Sequence, residues 1–267
     1  MRFRLGEIPL GLPDSIDSSL WQCAERQCLF NPPGPGRYLI SRGEEILIEC
    51  RPGTDPRDIR INVLGPAWGA LLHQRGLFPL HASAIATESG AVLFMGASGS
   101  GKSTLAAALV RQGYRLLADD ICAIDTRGAV PMVMPGNPCL MLWQDMLGVL
   151  DLKADMLTAV RSQLKKFAVP VQTGFSAEPS PIRAIFILRE ENTPEFNASR
   201  LLGFRKMEAI SINAYRRGLI GSLGLVAQHA AQLGRIAAAA PITRVSRPRH
   251  RFQLEGLVDL VTREFSG

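Results

Sequence analysis

The stretch GASGSGKST, Gly96 to Thr104, decides the reading of this chain. It fits the phosphate-binding pattern G-x-x-x-x-G-K-[ST] at every fixed position. The apolar run AVLFM, Ala91 to Met95, precedes it and predicts a buried strand. The run LAAALVRQ, Leu105 to Gln112, follows and predicts a helix stopped by Gly113. Strand, glycine loop and helix N-terminus together aim backbone N–H groups and the positive end of a helix dipole at one spot. Gly96, Ser98, Gly99, Ser100, Gly101, Lys102, Ser103 and Thr104 are therefore the expected nucleotide cradle. Gly96, Gly99 and Gly101 supply positive φ and close approach. Lys102 would meet the β and γ phosphates, and the Ser103 hydroxyl would bind Mg²⁺.

Two further stretches converge on that loop. YRLLA, Tyr114 to Ala118, predicts a strand that ends in Asp119-Asp120. A strand that follows the loop helix brings its C-terminal end to the ligand side. Neighbouring residues on an extended strand face opposite ways, so the two aspartates should have different tasks. One would bind Mg²⁺ directly or through water, and the other would accept a proton from an attacking hydroxyl. FPLHASAIAT, Phe78 to Thr87, predicts another strand, turning at Glu88-Ser89-Gly90 into AVLFM. A turn centred on residues 88 and 89 sets His81 opposite Gly96, beside the mouth of the loop.

Composition is that of an ordinary globular chain: 267 residues, 46% hydrophobic and 20% charged, which allows a full core. The first residues, MRFRLGEIPLGLPD, contain no apolar core of a secretory signal, and no window is apolar enough to span a membrane. Five cysteines without zinc spacing suggest free thiols in a cytoplasmic protein. The net charge of +6 favours an acidic partner. A nucleotide or an acidic peptide satisfies it, and nucleic acid is not the expected partner, because no nucleic-acid module is present.

The rest of the chain reads mostly as scaffold. Residues 1 to 36 are expected to be irregular. RYLIS and EILIEC, Arg37 to Ser41 and Glu45 to Cys50, predict a hairpin through Arg42-Gly43. Pro66 to Arg75 predicts a helix stopped by Gly76. Two parts follow: a β-rich N-terminal region, 1–76, and a catalytic domain, 77–267. Pro135 to Leu150 is expected as a loop entering a helix. Lys165-Lys166 is expected before an extended segment, as a solvated pair or, alternatively, in contact with a phosphate or an acidic partner. Ile182 to Leu188 predicts a buried strand. Arg216 and Arg217 begin a helical C-terminal stretch, and Arg244, Arg247, Arg249, His250 and Arg251 form a basic patch.

The sequence resembles the catalytic domain of HPr kinase/phosphorylase, and in particular the shorter HPr-kinase-like proteins associated with ribosomal peptides, lasso peptides included. GASGSGKS, GYRLLADD and LHASAI carry the resemblance, with Asp119 seventeen residues after Lys102 and His81 fifteen before Gly96. It implies an α/β P-loop kinase fold of the HPr kinase and phosphoenolpyruvate carboxykinase type. It also implies ATP and Mg²⁺ as cofactors and a serine of a small protein or peptide as acceptor, with a homo-oligomer allowed. By the same resemblance Asp119 is the general base, Asp120 joins Ser103 at the metal, and His81 lies at the active centre. The chain departs from the family in having Thr104 after GKS and in lacking the stretches E-x-R-G-L-G and R-P-G-R-N, which belong to HPr docking and phosphorolysis. A small-molecule P-loop kinase or a nucleotide-gated regulatory protein are the alternative readings.

Overall fold

The computed structural model describes residues 1–150, 152–153, 157–161, 164–248 and 253–266. Of the basic patch, Arg249, His250 and Arg251 lie outside the described residues. The chain starts with strands β1 (Arg2–Leu5), β2 (Ile16–Ser18), β3 (Trp21–Ala24), β4 (Gln27–Phe30), β5 (Gly36–Ser41) and β6 (Glu45–Cys50). They form one sheet in the order β1-β6-β5-β4-β3-β2. Residues 1–36 thus hold four short strands, and the chain is irregular only outside them. Their strands are three or four residues long, too short to show alternation. The β3–β4 turn uses Arg26 at φ 62°, without the Gly or Asn that signals such a turn. The β5–β6 hairpin turns at Arg42 and Gly43, both left-handed, as expected.

Helix α1 (Pro56–Asn62), a π-turn over Val63–Ala67 and helix α2 (Trp68–Gln74) then cover this sheet. Val63, Ala67, Ala70 and Leu71 pack against Trp21, Phe30, Tyr38 and Ile46. Trp21 and Phe30 stack at 4.4 Å. Gly76, at φ 72°, ends α2 and turns the chain into the second sheet.

That sheet contains β7 (Phe78–Leu80), β8 (Ala82–Thr87), β9 (Gly90–Gly96), β10 (Arg115–Ala118), β11 (Cys122–Asp125) and β12 (Met132–Val133). Helix α3 (Lys102–Arg111) follows β9. A separate three-stranded sheet comes next, from β13 (Cys139–Trp143), β14 (Thr158–Arg161) and β15 (Leu164–Pro170), with α4 (Gln144–Val149) after β13. The chain returns through β16 (Ser180–Glu191), β17 (Asn197–Leu201), α5 (Phe204–Ile212), α6 (Leu219–Ser222), α7 (Val226–Ala239), β18 (Ile242–Pro248) and α8 (Leu254–Ser266).

Every residue of β9 is buried, which is why it reads as a continuous apolar run. Its two faces go to two cores. Leu93 and Met95 join Ile236 and Ile242 on one side. Val92 and Phe94 join Leu105, Leu109, Leu257 and Val261 on the other. Strand β9 runs antiparallel to β8 and parallel to β16. Strand β10 lies beyond β8 and is antiparallel to it, so β9 and β10 point the same way with β8 between them. Their C-terminal ends meet at one edge, the placement a ligand site in an α/β sheet requires.

Three expectations need correction. Phe78–Thr87 is two strands, broken at His81, because β7 pairs with β11 while β8 pairs with β9. Residues 139–143 are a strand and not a loop, paired along their length with β15. Lys165 and Lys166 lie inside β15 and not before an extended segment.

Candidate active site

Gly96, Gly99 and Gly101 take φ values of 142°, 83° and 97°, so the loop uses glycine at each expected turn. Gly96 is also held by space: a Cβ there would sit 2.5 Å from the Leu188 carbonyl. Its N–H donates to Oδ1 of Asn213 at 3.1 Å. Helix α3 starts at Lys102 with no acidic residue of its own in its first turn, so its positive end faces the loop. The Ser100 hydroxyl is buried and lacks a hydrogen-bond partner. An orphaned donor inside a ring of loop amides fits a phosphate oxygen.

Lys102 is buried, and its Nζ donates to the carbonyls of Gly96 and Ala97 at 2.9 Å each. Burial pulls it down to about 8, against the opposing pull of Asp119 and Asp120. Such a lysine gains its full charge when an anion arrives.

The two aspartates do face different ways. Asp119 is buried, and its Oδ1 accepts from Ser83 at 2.5 Å and from Ser103 at 2.9 Å. Its Oδ2 accepts from the Met141 N–H at 2.7 Å. That amide arrives because the loop before β13 passes close over β10: a Cβ on Gly136 would meet Ala118 Cβ at 2.9 Å. Burial holds the Asp119 carboxyl above the ordinary aspartate range, partly offset by these donors.

Asp120 turns outward in a left-handed conformation, φ 68°. Its carboxylate lies 3.7 Å from His81 Nδ1 and 3.9 Å from Lys166 Nζ. His81 Nδ1 is also 3.0 Å from the Asp120 carbonyl, so a neutral imidazole donates there and leaves Nε2 open. Burial and then the charge of Lys102 hold His81 below its ordinary value, against Asp120. The β8–β9 ladder pairs Thr87 with Gly90 and Ala82 with Met95. One more step would pair His81 with Gly96, the register expected from the turn.

Two cavities meet at the loop, one of about 800 Å³ and one of about 1210 Å³, and both are lined by His81, Ser98, Gly99 and Glu190. Lys102, Ser103 and Asp120 open into the smaller one, while Arg216 and Arg217 line the larger. Arg247 is buried, pairs with Glu190, and leans on the loop tip with Nε 3.4 Å from the Ser100 carbonyl. Arg247 is therefore not part of a surface patch.

Similarity to known proteins falls on a limited segment. Over 76 residues the chain is 37% identical to proteins named HPr kinase/phosphorylase from Chlorobium phaeobacteroides and from Prosthecochloris aestuarii. Over that segment the chain is HPr-kinase-like. The segment is 28% of this chain and 22% of each relative's length, so the chain spans about a fifth of the curated relatives it matches. No protein-family model matches. Among solved structures, the Hpr(Ser) kinase/phosphatase from Coxiella burnetii covers 71% of this chain and 99% of its own, at 12% identity. Its TM-score is 0.37, a level from which no correspondence of topology follows.

Several groups in this site carried little or no sequence signal. Ser83 could have been found, since in the strand expected over Phe78–Thr87 it follows His81 by two residues and so shares its face. Asn213, the Met141 amide and the Glu190–Arg247 pair could not, because each reaches the loop from a distant segment. For Lys166 the sequence left a solvated charge and a phosphate or acidic contact both open, and β15 sets it beside Asp120.

Proposed function

We propose that this chain is an ATP-dependent serine kinase of the HPr kinase type, with 77–267 as its catalytic part and 1–76 packed against it. The acceptor would be a serine of a small protein or of a ribosomal peptide precursor, lasso precursors included. The cytoplasm, which supplies ATP and keeps thiols reduced, suits the five free cysteines. The observation that carries the reading is the convergence of a left-handed glycine loop, a buried Lys102, the Asp119–Asp120 pair and His81 on one edge of the sheet.

The residues suit a Mg²⁺–triphosphate. Among the described residues no cluster of three acidic, His or Cys side chains could cage a metal alone. Mg²⁺ needs none, since it binds through one or two protein oxygens plus phosphates. When bound it would neutralise charge that develops between the β and γ groups. Lys102 and the loop amides would hold the phosphates, and the Ser100 hydroxyl would gain its missing partner.

The resemblance gives proton acceptance to Asp119 and metal binding to Asp120. The hydrogen bonds favour exchanging these tasks, and the exchange is part of the proposal. Asp119 already binds the Ser103 hydroxyl and has both oxygens occupied, as a carboxylate beside a metal would. Asp120 lines the open cavity beside His81, where an acceptor hydroxyl would enter. In transfer the serine oxygen bonds to the γ phosphorus, the bond to the ADP oxygen breaks, and the proton passes to Asp120.

Incubation with ATP, Mg²⁺ and serine-containing peptides, read by mass spectrometry, tests the reading. A phosphate mass gain on a serine is expected. ATP binding without transfer to any serine, or transfer to a small molecule instead, would overturn it.

A further inference from the structure

We propose that Lys166 is a second cation for the transferred phosphoryl group, delivered from the three-stranded sheet that faces the loop. This rests on the kinase reading above. Strand β15 pairs Lys166 with Trp143 of β13, and the ammonium lies 5.9 Å from the centre of the Trp143 ring. The side chain is only 21% exposed. It opens into the same cavity of about 800 Å³ as Lys102, Ser103 and Asp120.

A lysine placed only to neutralise Asp120 would close to a charge-assisted hydrogen bond, about 2.7–2.9 Å. The distance to the Asp120 oxygen is instead 3.9 Å. The ring and the carboxylate steer the ammonium without occupying it. The cavity is also lined by Lys165 and Arg247 and by the carboxylates of Asp145 and Glu190. Glu190 is spent on Arg247, while Lys102, Lys165 and Lys166 line the cavity with Asp120 and Asp145, and Asp119 lies buried behind Ser103. Three ammonium groups lining one cavity favour an anion in the space between them.

Lys102 comes from the loop helix and Lys166 from the separate three-stranded sheet, so a phosphoryl group in their shared cavity would meet cations from two elements. Charge spreads over its equatorial oxygens during transfer, where a fixed cation is most effective. Lys166 should therefore matter more for the transition state than for bound nucleotide.

The test compares the affinity of the full chain for ADP with Mg²⁺ alone and for ADP with Mg²⁺ and aluminium fluoride, which mimics the phosphoryl in flight. The wild-type chain is expected to prefer the fluoride complex by about 10²-fold or more, as transition-state analogues do. Lys166→Met should lose most of that preference while binding ADP within about threefold of wild type, whereas Lys166→Arg keeps a large part of it. Lys166→Gln, which retains the stem over Trp143, should behave as Lys166→Met does and guards against misfolding. A preference unchanged in the Met and Gln variants, or absent from the wild type, overturns the role of Lys166. Failure of the wild-type chain to bind ADP at all overturns the kinase reading instead.

Discussion

The Ser103 hydroxyl donates to Oδ1 of Asp119 across 2.9 Å, tying the first turn of the loop helix to the end of β10. Sixteen residues separate the two in sequence. Ser83 adds a donor to the same oxygen, so Asp119 is anchored by three elements and is not free to follow a substrate.

Asp119→Asn should therefore damage metal use first. An amide oxygen keeps the size but loses the charge, and its NH₂ would face hydroxyl donors. We expect the Mg²⁺ dependence of nucleotide binding to weaken about tenfold or more. Asp120→Asn should leave that dependence intact while transfer falls by about 10²–10⁴-fold, the usual size of a proton-acceptor effect. Magnesium titrations of ATP binding, beside turnover, separate the two. The opposite pattern would restore Asp119 as proton acceptor.

Binding of a nucleotide should be linked to protonation of Lys102. Its value of about 8 in the free chain would rise once phosphate oxygens surround it. The bound state then holds more protons, so affinity falls as pH rises through about 8. Calorimetry at pH 8.5 in two buffers of different ionisation enthalpy should show proton uptake, and none in Lys102→Met. For folding the sign is the reverse: the native chain holds fewer protons than the unfolded one between about 8 and 10.5, so this group adds stability as pH rises across that window.

His81 should titrate below its ordinary value of 6.5, since burial and Lys102 oppose its charge. A group depressed in the folded state makes the native chain bind fewer protons than the unfolded chain below 6.5, so stability falls as pH drops from there. Melting temperatures between pH 5 and 7 should fall less steeply in His81→Gln than in the wild type. Equal slopes would show that the imidazole is not buried against Lys102.

The loop glycines should differ in cost. A Cβ on Gly99 meets nothing within 4 Å, so Gly99→Ala carries only left-handed strain, about 1–2 kcal/mol. Gly96→Ala adds a 2.5 Å contact with the Leu188 carbonyl, on the neighbouring strand of the sheet. That backbone can move little, and about 1–3 kcal/mol more is expected. Denaturant unfolding of both variants checks the order; a Gly99→Ala cost equal to or above that of Gly96→Ala would contradict it.

Local chemistry made the centre of this protein readable. A glycine loop between an apolar strand and a helix, and a tight turn at 88–89, involve residues close in sequence, and short-range sterics and period-two alternation govern them. The loop, the Asp119–Asp120 edge and the His81 register therefore needed no tertiary contact to be inferred. Strand β1, the break at His81 and the β13–β15 sheet were illegible because each is decided by a partner far along the chain, while β2 to β4 are too short to alternate and turn without a glycine signal. Which aspartate meets Ser103 was likewise undetermined, for alternation says only that the two diverge. The left-handed turn at Asp120 and the passage of Gly136 over Ala118 settle it, turning one carboxylate inward to three donors and the other toward His81 and Lys166.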